Sequence, residues 1–442
     1  MISFITRREL LRRLAILGAA GAVGCRMAGG STAPFVLSRD DDEFLDRLER
    51  TSFGFFEECT HPLTGLVKDR SLADRNDDRE IASIAATGFG LTALCIADKR
   101  GWISHERARE RVRLTLRFLL DQLPNEHGFF FHFINWHTGE RLWKCELSSI
   151  DTALLLAGVL TCRAYFADPG IDSLAKGLYE RVDWRWMTHG GRLLRHGWKP
   201  ENGFLDSSWA AYSEHMLLYL LALGADQHAL SPDSWQAWRR PWVEYGGSRY
   251  VSVAAPLFIH QYSHAWFDFR GLHDEFLDYF ENSVTATRMH RQFCVDLRAE
   301  FPHFEHDLWG ITASDSVQGY VAWGGPPRHG PLDGTLVPCA VAGSLPFLPS
   351  ECLRCLRTMR DRFGDRVWRR YGFLDAFNPA TGWYGSDVIG IDVGITLLMA
   401  ENLRTGFVWR NFMANPEARR GMCLAGFRKN KWALQRQKGE SK

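Results

Sequence analysis

Two kinds of helical periodicity alternate along this chain, and that alternation constrains its fold more than any other feature. Phe44, Leu45, Leu48, Ser52, Phe55, Phe56 and Cys59 fall on one stripe, and Ala108, Val112, Thr115, Leu116, Leu119 and Leu123 on another. Charged residues fill the opposite faces, so these helices have one side in water. Other segments are apolar nearly all round: 81–97, 150–164, 208–223 and 388–403. Such helices must be buried on most sides. Their small residues (Ala85, Gly88, Ala153, Ala157, Gly158, Gly394) permit close helix contact. Two concentric rings of helices would produce this alternation. About eleven or twelve helical segments are expected, with short β-hairpins at 129–133 and 192–196. Nothing suggests βαβ alternation or a parallel sheet.

Composition narrows the function. There are 53 basic and 52 acidic residues, for a net charge of +1. Nucleic acid needs a basic footprint, which this balance does not supply. Membrane surfaces and acidic polymers are disfavoured for the same reason. Trp outnumbers Tyr, 17 to 11, as suits a cleft that stacks on ligands, although most Trp in any chain are core. The cysteines are irregularly spaced. The Cys352–Cys355 pair has no second CxxC to complete a zinc site, so buried free thiols are expected.

Residues 1–25 read as an export signal rather than fold. Arg7-Arg8 in Thr-Arg-Arg-Glu-Leu-Leu-Arg fits a twin-arginine pattern, and an apolar run at 14–23 follows. Ala22-Val23-Gly24-Cys25 is similar to a lipoprotein cleavage box, with Ala22 where Leu is usual. Cys25 would then be the lipidated residue anchoring the mature chain to a membrane, and ordinary signal-peptidase cleavage beside Cys25 is the alternative. The expected destination is periplasmic or membrane-anchored. Residues 26–40 read as linker, 41–427 as one folded domain and 428–442 as a basic tail. Replacing Arg7 and Arg8 together by Lys is expected to leave precursor in the cytoplasm on fractionation. Normal export of that double variant would overturn the twin-arginine assignment.

Several carboxylates stand in apolar surroundings. Glu214 lies in Tyr-Ser-Glu-His-Met, flanked by aromatic and apolar residues. Desolvation there would raise its pKa, which suits a general acid. Asp151 follows Ser148 at capping-box spacing and is expected to bind the N-cap amide. Glu146 sits just before that helix. Asp387 and Asp392 occur in Ser-Asp-Val-Ile-Gly-Ile-Asp-Val-Gly, after Trp383-Tyr384. His260 and His264 are spaced i, i+4 but lack the Glu of a zinc helix, and no metal or other cofactor is expected. Asp74-x-Asn76-x-Asp78 reads as a solvated charged loop rather than a calcium loop. The Gly- and Pro-rich stretch 305–338 reads as a long loop lying across a cleft.

Taken in order, these blocks resemble one bacterial family. They are Thr51-Ser-Phe-Gly-Phe-Phe, Gly65-Leu-Val-Lys-Asp-Arg70, Ser83-Ile-Ala-Ala-Thr-Gly-Phe-Gly, Glu146-Leu-Ser-Ser-Ile-Asp151, Tyr212-Ser-Glu214-His-Met, His260-Gln-Tyr-Ser-His264, Trp323-Gly-Gly-Pro-Pro, Asp333-Gly-Thr, Ala342-Gly-Ser-Leu-Pro-Phe and Tyr384-x-x-Asp387-x-x-Gly-Ile-Asp392. The family is the glucoamylase-like domain proteins, which include the endo-β-1,2-glucanases, and the resemblance spans roughly 41–415. It implies an all-α (α/α)6 barrel and inverting cleavage of a β-linked glucan, β-1,2-glucan first, without a metal. It also places Glu146, Asp151, Glu214 and Asp387 or Asp392 near the cleft. On this reading Glu214 protonates the leaving oxygen, Asp387 or Asp392 is the base, and Asp151 orients. Arg70, Glu146, His260, Gln261 and His264 bind sugar hydroxyls, while Trp266, Trp323, Trp383 and Tyr384 stack. Two rivals are a polysaccharide lyase on the same toroid and a non-catalytic glycan-binding lipoprotein.

Overall fold

The computed structural model describes residues 35–253 and 256–429. The export motif, Cys25 and most of the basic tail lie outside them. In chain order the helices pair as Arg39–Glu58 (α1) with Ile84–Lys99 (α2), His105–Asp121 (α3) with Ser149–Phe166 (α4), and Pro169–Glu180 (α5) with Met216–Gly224 (α6). Then come Asp233–Ala237 (α7) with Tyr262–Trp266 (α8), Tyr279–Asp296 (α9) with Pro338–Ala342 (α10), and Pro349–Phe363 (α11) with Gly390–Arg404 (α12). The odd-numbered helix of each pair buries one stripe, while α4, α6, α8 and α10 are buried almost throughout. The even helices form the inner ring: α2 packs on α4, α4 on α6, α6 on α8, and α12 closes onto α2. Six such pairs make an (α/α)6 barrel. Phe407–Phe412 (α13) and Pro416–Leu424 (α14) then cover its flank.

The small residues of the inner helices do what their size allows. A Cβ on Gly158 would lie 2.1 Å from the Gly88 carbonyl oxygen, and one on Gly88 2.3 Å from that of Leu154. Helices α2 and α4 therefore touch backbone to backbone. Eight of the nine cysteines among the described residues are buried free thiols, with Cys423 exposed.

Several expected boundaries move. The apolar segment at 81–97 opens as a strand, Ile81–Ser83, paired with Phe133–Asn135. That at 388–403 opens as Asp387–Ile389, paired with Arg70–Leu72. The segment 208–223 is helical only from Met216, because Ala210 and Tyr212 pair through their backbones with Arg239. Tertiary pairing there overrides local helix propensity. The expected hairpin at 192–196 lies instead at Gly197–Lys199 and Gly203–Phe204. Helix α1 starts at Arg39, capped by Ser38, inside the segment read as linker. Arg428–Lys429 pair with Leu272–His273 rather than joining a tail. The 305–338 stretch is not structureless: Ala313–Ser316 and Gly319–Ala322 form a hairpin within it.

Candidate active site

The sequence places its acids at the starts of inner helices. Glu146 and Asp151 stand at the N-terminal end of α4, Glu214 just before α6, and Asp387 and Asp392 around the start of α12. All five therefore belong to one end of the barrel, where a cleft of about 500 Å³ opens.

One wall of the cleft is built from ion pairs. Register in the Arg70–Leu72 strand sets Arg70 opposite Ile389 and Leu72 opposite Asp387. The Arg70 guanidinium donates to both oxygens of Asp315 at 2.9 Å and to Asp69 at 3.0 Å, and stands 3.6 Å from Asp387. Burial works against its charge, but Asp69 and Asp315 outweigh that and hold it protonated, above its usual range. Arg79 donates to the two oxygens of Asp387 at 2.7 and 2.9 Å, and also grips Asp77. Behind this wall, buried Asp375 accepts the Asp315 amide at 2.7 Å. Burial, together with the charges of Asp315 and Asp392, pushes Asp375 well above the usual carboxylate range.

The opposite wall centres on His132. Its two ring nitrogens lie 3.7 Å from Glu146 and 3.7 Å from Asp151, so the imidazole stands between the two carboxylates. Ser148 caps α4 by accepting the Asp151 amide, and its hydroxyl donates back to the Asp151 carboxylate. The capping-box spacing thus brings the Ser148 hydroxyl onto the Asp151 carboxylate, and Ser148 stands opposite Gly197 in the strand register. Phe133, Trp143, Lys199 and Tyr320 also line the cleft, and Tyr320 comes from the hairpin in the 305–338 stretch.

Arg70, Glu146 and Asp151 thus line the cleft, and Asp387 meets it through Arg70 and Arg79. Glu214 and Asp392 are buried and do not line it. The Glu214 carboxylate accepts the Ser213 hydroxyl, and its carbonyl accepts Ser263 Oγ at 2.6 Å. Asp392 accepts the Tyr262 hydroxyl at 3.2 Å.

Five expected sugar contacts are instead committed to the core. His260 pairs with the Tyr212 hydroxyl at 3.0 Å and with Ser252 at 3.3 Å, and His264 with Ser283 at 3.1 Å. Burial lowers both imidazoles to about 3, so they are neutral. Gln261 donates to the Ala340 carbonyl and to Ser344. Trp266 donates to Thr92, and Trp323 to Ser314. His264 and Trp266 belong to α8, and His260 and Gln261 to the turn that leads into it, all of them buried, while Trp323 follows the hairpin whose Ser314 it bonds. Trp383 and Tyr384 are half-buried on a strand beside the barrel end; Tyr384 stacks on Phe377 rather than facing the cleft lining.

Sequence reading missed Asp69, Arg79, His132, Trp143, Lys199 and Tyr320 as cleft residues. One signal was present. Trp143 lies three residues before Glu146, in a segment with no helical stripe to claim it for the core. Asp74, Asn76 and Asp78 are exposed, as a solvated loop requires, and Arg79 at the edge of that loop reaches inward to Asp387. Among the described residues, no cluster of three His, Cys, Asp or Glu is arranged to hold a metal ion.

Residues 206–416 match the Glycoamylase family model. An exo-β-1,2-glucooligosaccharide sophorohydrolase of Parabacteroides distasonis is 27% identical over 421 residues, covering 86% of this chain and 57% of that protein. The chain thus spans just over half the length of this curated relative. An endo-β-1,2-glucanase from Chitinophaga pinensis, solved with sophorotriose and glucose, superposes with a TM-score of 0.81 at 26% identity, covering 89% of this chain and 99% of that one. A β-1,2-glucanase from Parabacteroides distasonis superposes at 0.80 with 25% identity, over 90% of this chain and 61% of that one. The (α/α)6 barrel, with its acids gathered at the N-terminal ends of the inner helices, is thus similar over most of its length to these solved structures, and the family model matches its second half, 206–416.

Proposed function

We propose that this protein is a glycoside hydrolase that cleaves a β-1,2-linked glucan with inversion at the anomeric carbon. The observation that carries the reading is the cleft itself, which combines carboxylates, half-exposed aromatic rings and neutralised guanidinium groups at the mouth of the barrel. The similarity to enzymes named for β-1,2-glucan supports the linkage. In the proposed chemistry Glu214, at the start of α6, delivers a proton to the leaving oxygen, directly or through a sugar hydroxyl. Asp387 serves as the base. Both its oxygens accept guanidinium hydrogen bonds, and each retains lone-pair capacity to orient water. Inversion asks for two carboxyls about 6.5–9.5 Å apart, leaving room for that water. Asp151, Glu146 and His132 bind and orient sugar hydroxyls. Export and anchoring through Cys25 belong to the same proposal and rest on the N-terminal motif alone.

A lyase acting on uronates would want a cationic cleft. Here Arg70 and Arg79 are already paired with Asp69, Asp315, Asp77 and Asp387. That favours a neutral sugar. The test is incubation with linear β-1,2-, β-1,3-, β-1,4- and α-glucans and a uronate polymer, with products resolved by size. New reducing ends from β-1,2-glucan alone are expected, and the size ladder separates internal from terminal cleavage. An unsaturated, ultraviolet-absorbing product from the uronate, or binding of glucan without cleavage, would overturn the proposal.

A further inference from the structure

The loop that ends one wall of the cleft holds an unusual residue. Trp143 is 53% exposed although it lines the cleft, and its ring meets Phe133 edge-on at 5.2 Å. Both Trp143 and Lys144 adopt left-handed backbone, with φ of 51° and 49°. Such a conformation disfavours side chains other than Gly, Asn or Asp, and it persists only where surrounding structure enforces it.

That enforcement is visible on both sides of the loop. Arg141 forms a double hydrogen bond to Glu201 at 2.6 and 3.0 Å, tying the loop to the turn that follows Lys199 on the cleft wall. Its Nε donates to the Cys145 carbonyl at 2.6 Å, and its guanidinium stacks on Phe131. The Cys145 thiol accepts the Phe133 amide and donates to the Phe133 carbonyl, each at 3.3 Å. Clamped at positions 141 and 145, the intervening residues turn through left-handed backbone and the indole is held at the cleft edge. One edge of the ring packs on Phe133, and about half of its surface stays open to water at the cleft edge. The ring is pre-organised for a ligand with an apolar face, and a pyranose ring has one.

We propose that Trp143 is a glucosyl-stacking platform that sets how tightly the cleft holds a glucan chain, and that Arg141 is the residue that positions it. This rests on the glucan-hydrolase reading above. Trp143 carries no group that can transfer a proton, so its contribution appears in binding. With β-1,2-glucooligosaccharides of increasing length, Trp143→Ala is expected to raise KM by roughly tenfold or more while kcat stays within about twofold. Trp143→Phe should recover part of the loss. Arg141→Gln keeps the indole but loosens its clamp, and should raise KM by a smaller factor. The Phe variant keeps the assignment testable if the Ala variant fails to fold. Unchanged KM in folded Trp143→Ala and Trp143→Phe would overturn the proposal and leave the hydrolase reading intact. So would a fall in kcat at unchanged KM, which would make the ring part of catalytic alignment. Wild-type protein that neither binds nor cleaves these oligosaccharides would overturn the hydrolase reading, and this proposal with it.

Discussion

Glu214→Gln is expected to lose roughly two to four orders of magnitude in kcat on β-1,2-glucan, the usual scale for removal of one acid or base. The amide keeps the size of the side chain and can still engage the Ser213 hydroxyl, but it has no proton to transfer. Circular dichroism and glucan binding should therefore be unchanged. Substrates with activated leaving groups need little protonation, so the loss on an aryl glycoside should be much smaller. Asp387→Asn should lose activity on both substrate types, because water must still be activated. Removing that carboxylate also leaves Arg79 with Asp77 alone, so its thermal stability must be measured beside its kinetics. Near-normal turnover by folded Glu214→Gln would take Glu214 out of the mechanism. Suspicion would then pass to Glu146 and Asp151, which already line the cleft on either side of His132.

Arg404→Met is expected to destabilise the fold by about 3–5 kcal/mol, the cost of leaving a buried charge without its partner. The Arg404 side chain is only 4% exposed. It donates to Glu49 at 2.6 Å, to Asp42 at 2.7 Å and to Asp46 at 3.1 Å, joining outer α1 to the far end of inner α12. Arg100 completes the cluster by donating to Glu401 at 2.6 Å. Burial raises the Glu49 carboxyl well above its ordinary value of 4.5, Glu401 adds to the rise, and Arg404 and Arg100 oppose it. The sign of the pH effect follows. A carboxyl whose folded pKa is raised binds its proton more tightly when folded. Its contribution to stability is therefore present in acid and lost as pH rises. Without Arg404 the rise is larger. The deficit of the variant should be small near pH 4.5 and grow towards neutrality, with an apparent Tm about 4–6 °C below wild type at pH 7. A pH-independent deficit would mean that Arg404 acts through packing of its stem rather than through its charge.

The site was only partly legible. Arg70, Glu146 and Asp151 could be placed because each lies beside a helix start that periodicity marks, and helix starts in a double ring share one end. His260, Gln261, His264 and Trp266 are buried and bonded within the protein, and a polar cluster in an apolar run reads equally well as a ligand site or as a hydrogen-bonded core. Only the position of α8 in the inner ring decides for the core. His132 and Arg79 carry no local mark at all. Each acquires its place from a partner distant in sequence: His132 from Asp151, and Arg79 from Asp387, 308 residues away.

What the chain's own pattern determined is the architecture. One-sided stripes alternating with all-round apolar segments leave two nested rings as the way to bury both kinds of helix, and glycines at 88 and 158 let the inner helices touch. What only the tertiary structure decided is where the inner helices begin and which side chains face the cleft. Strands such as Ile81–Ser83 and Asp387–Ile389 form because a distant segment satisfies their backbone groups, a pairing that no local periodicity encodes. Trp143 is the clearest case. Its sequence neighbourhood permits any exposed turn, while the clamps from Arg141 to Glu201 and from Cys145 to Phe133 hold its ring at the cleft edge.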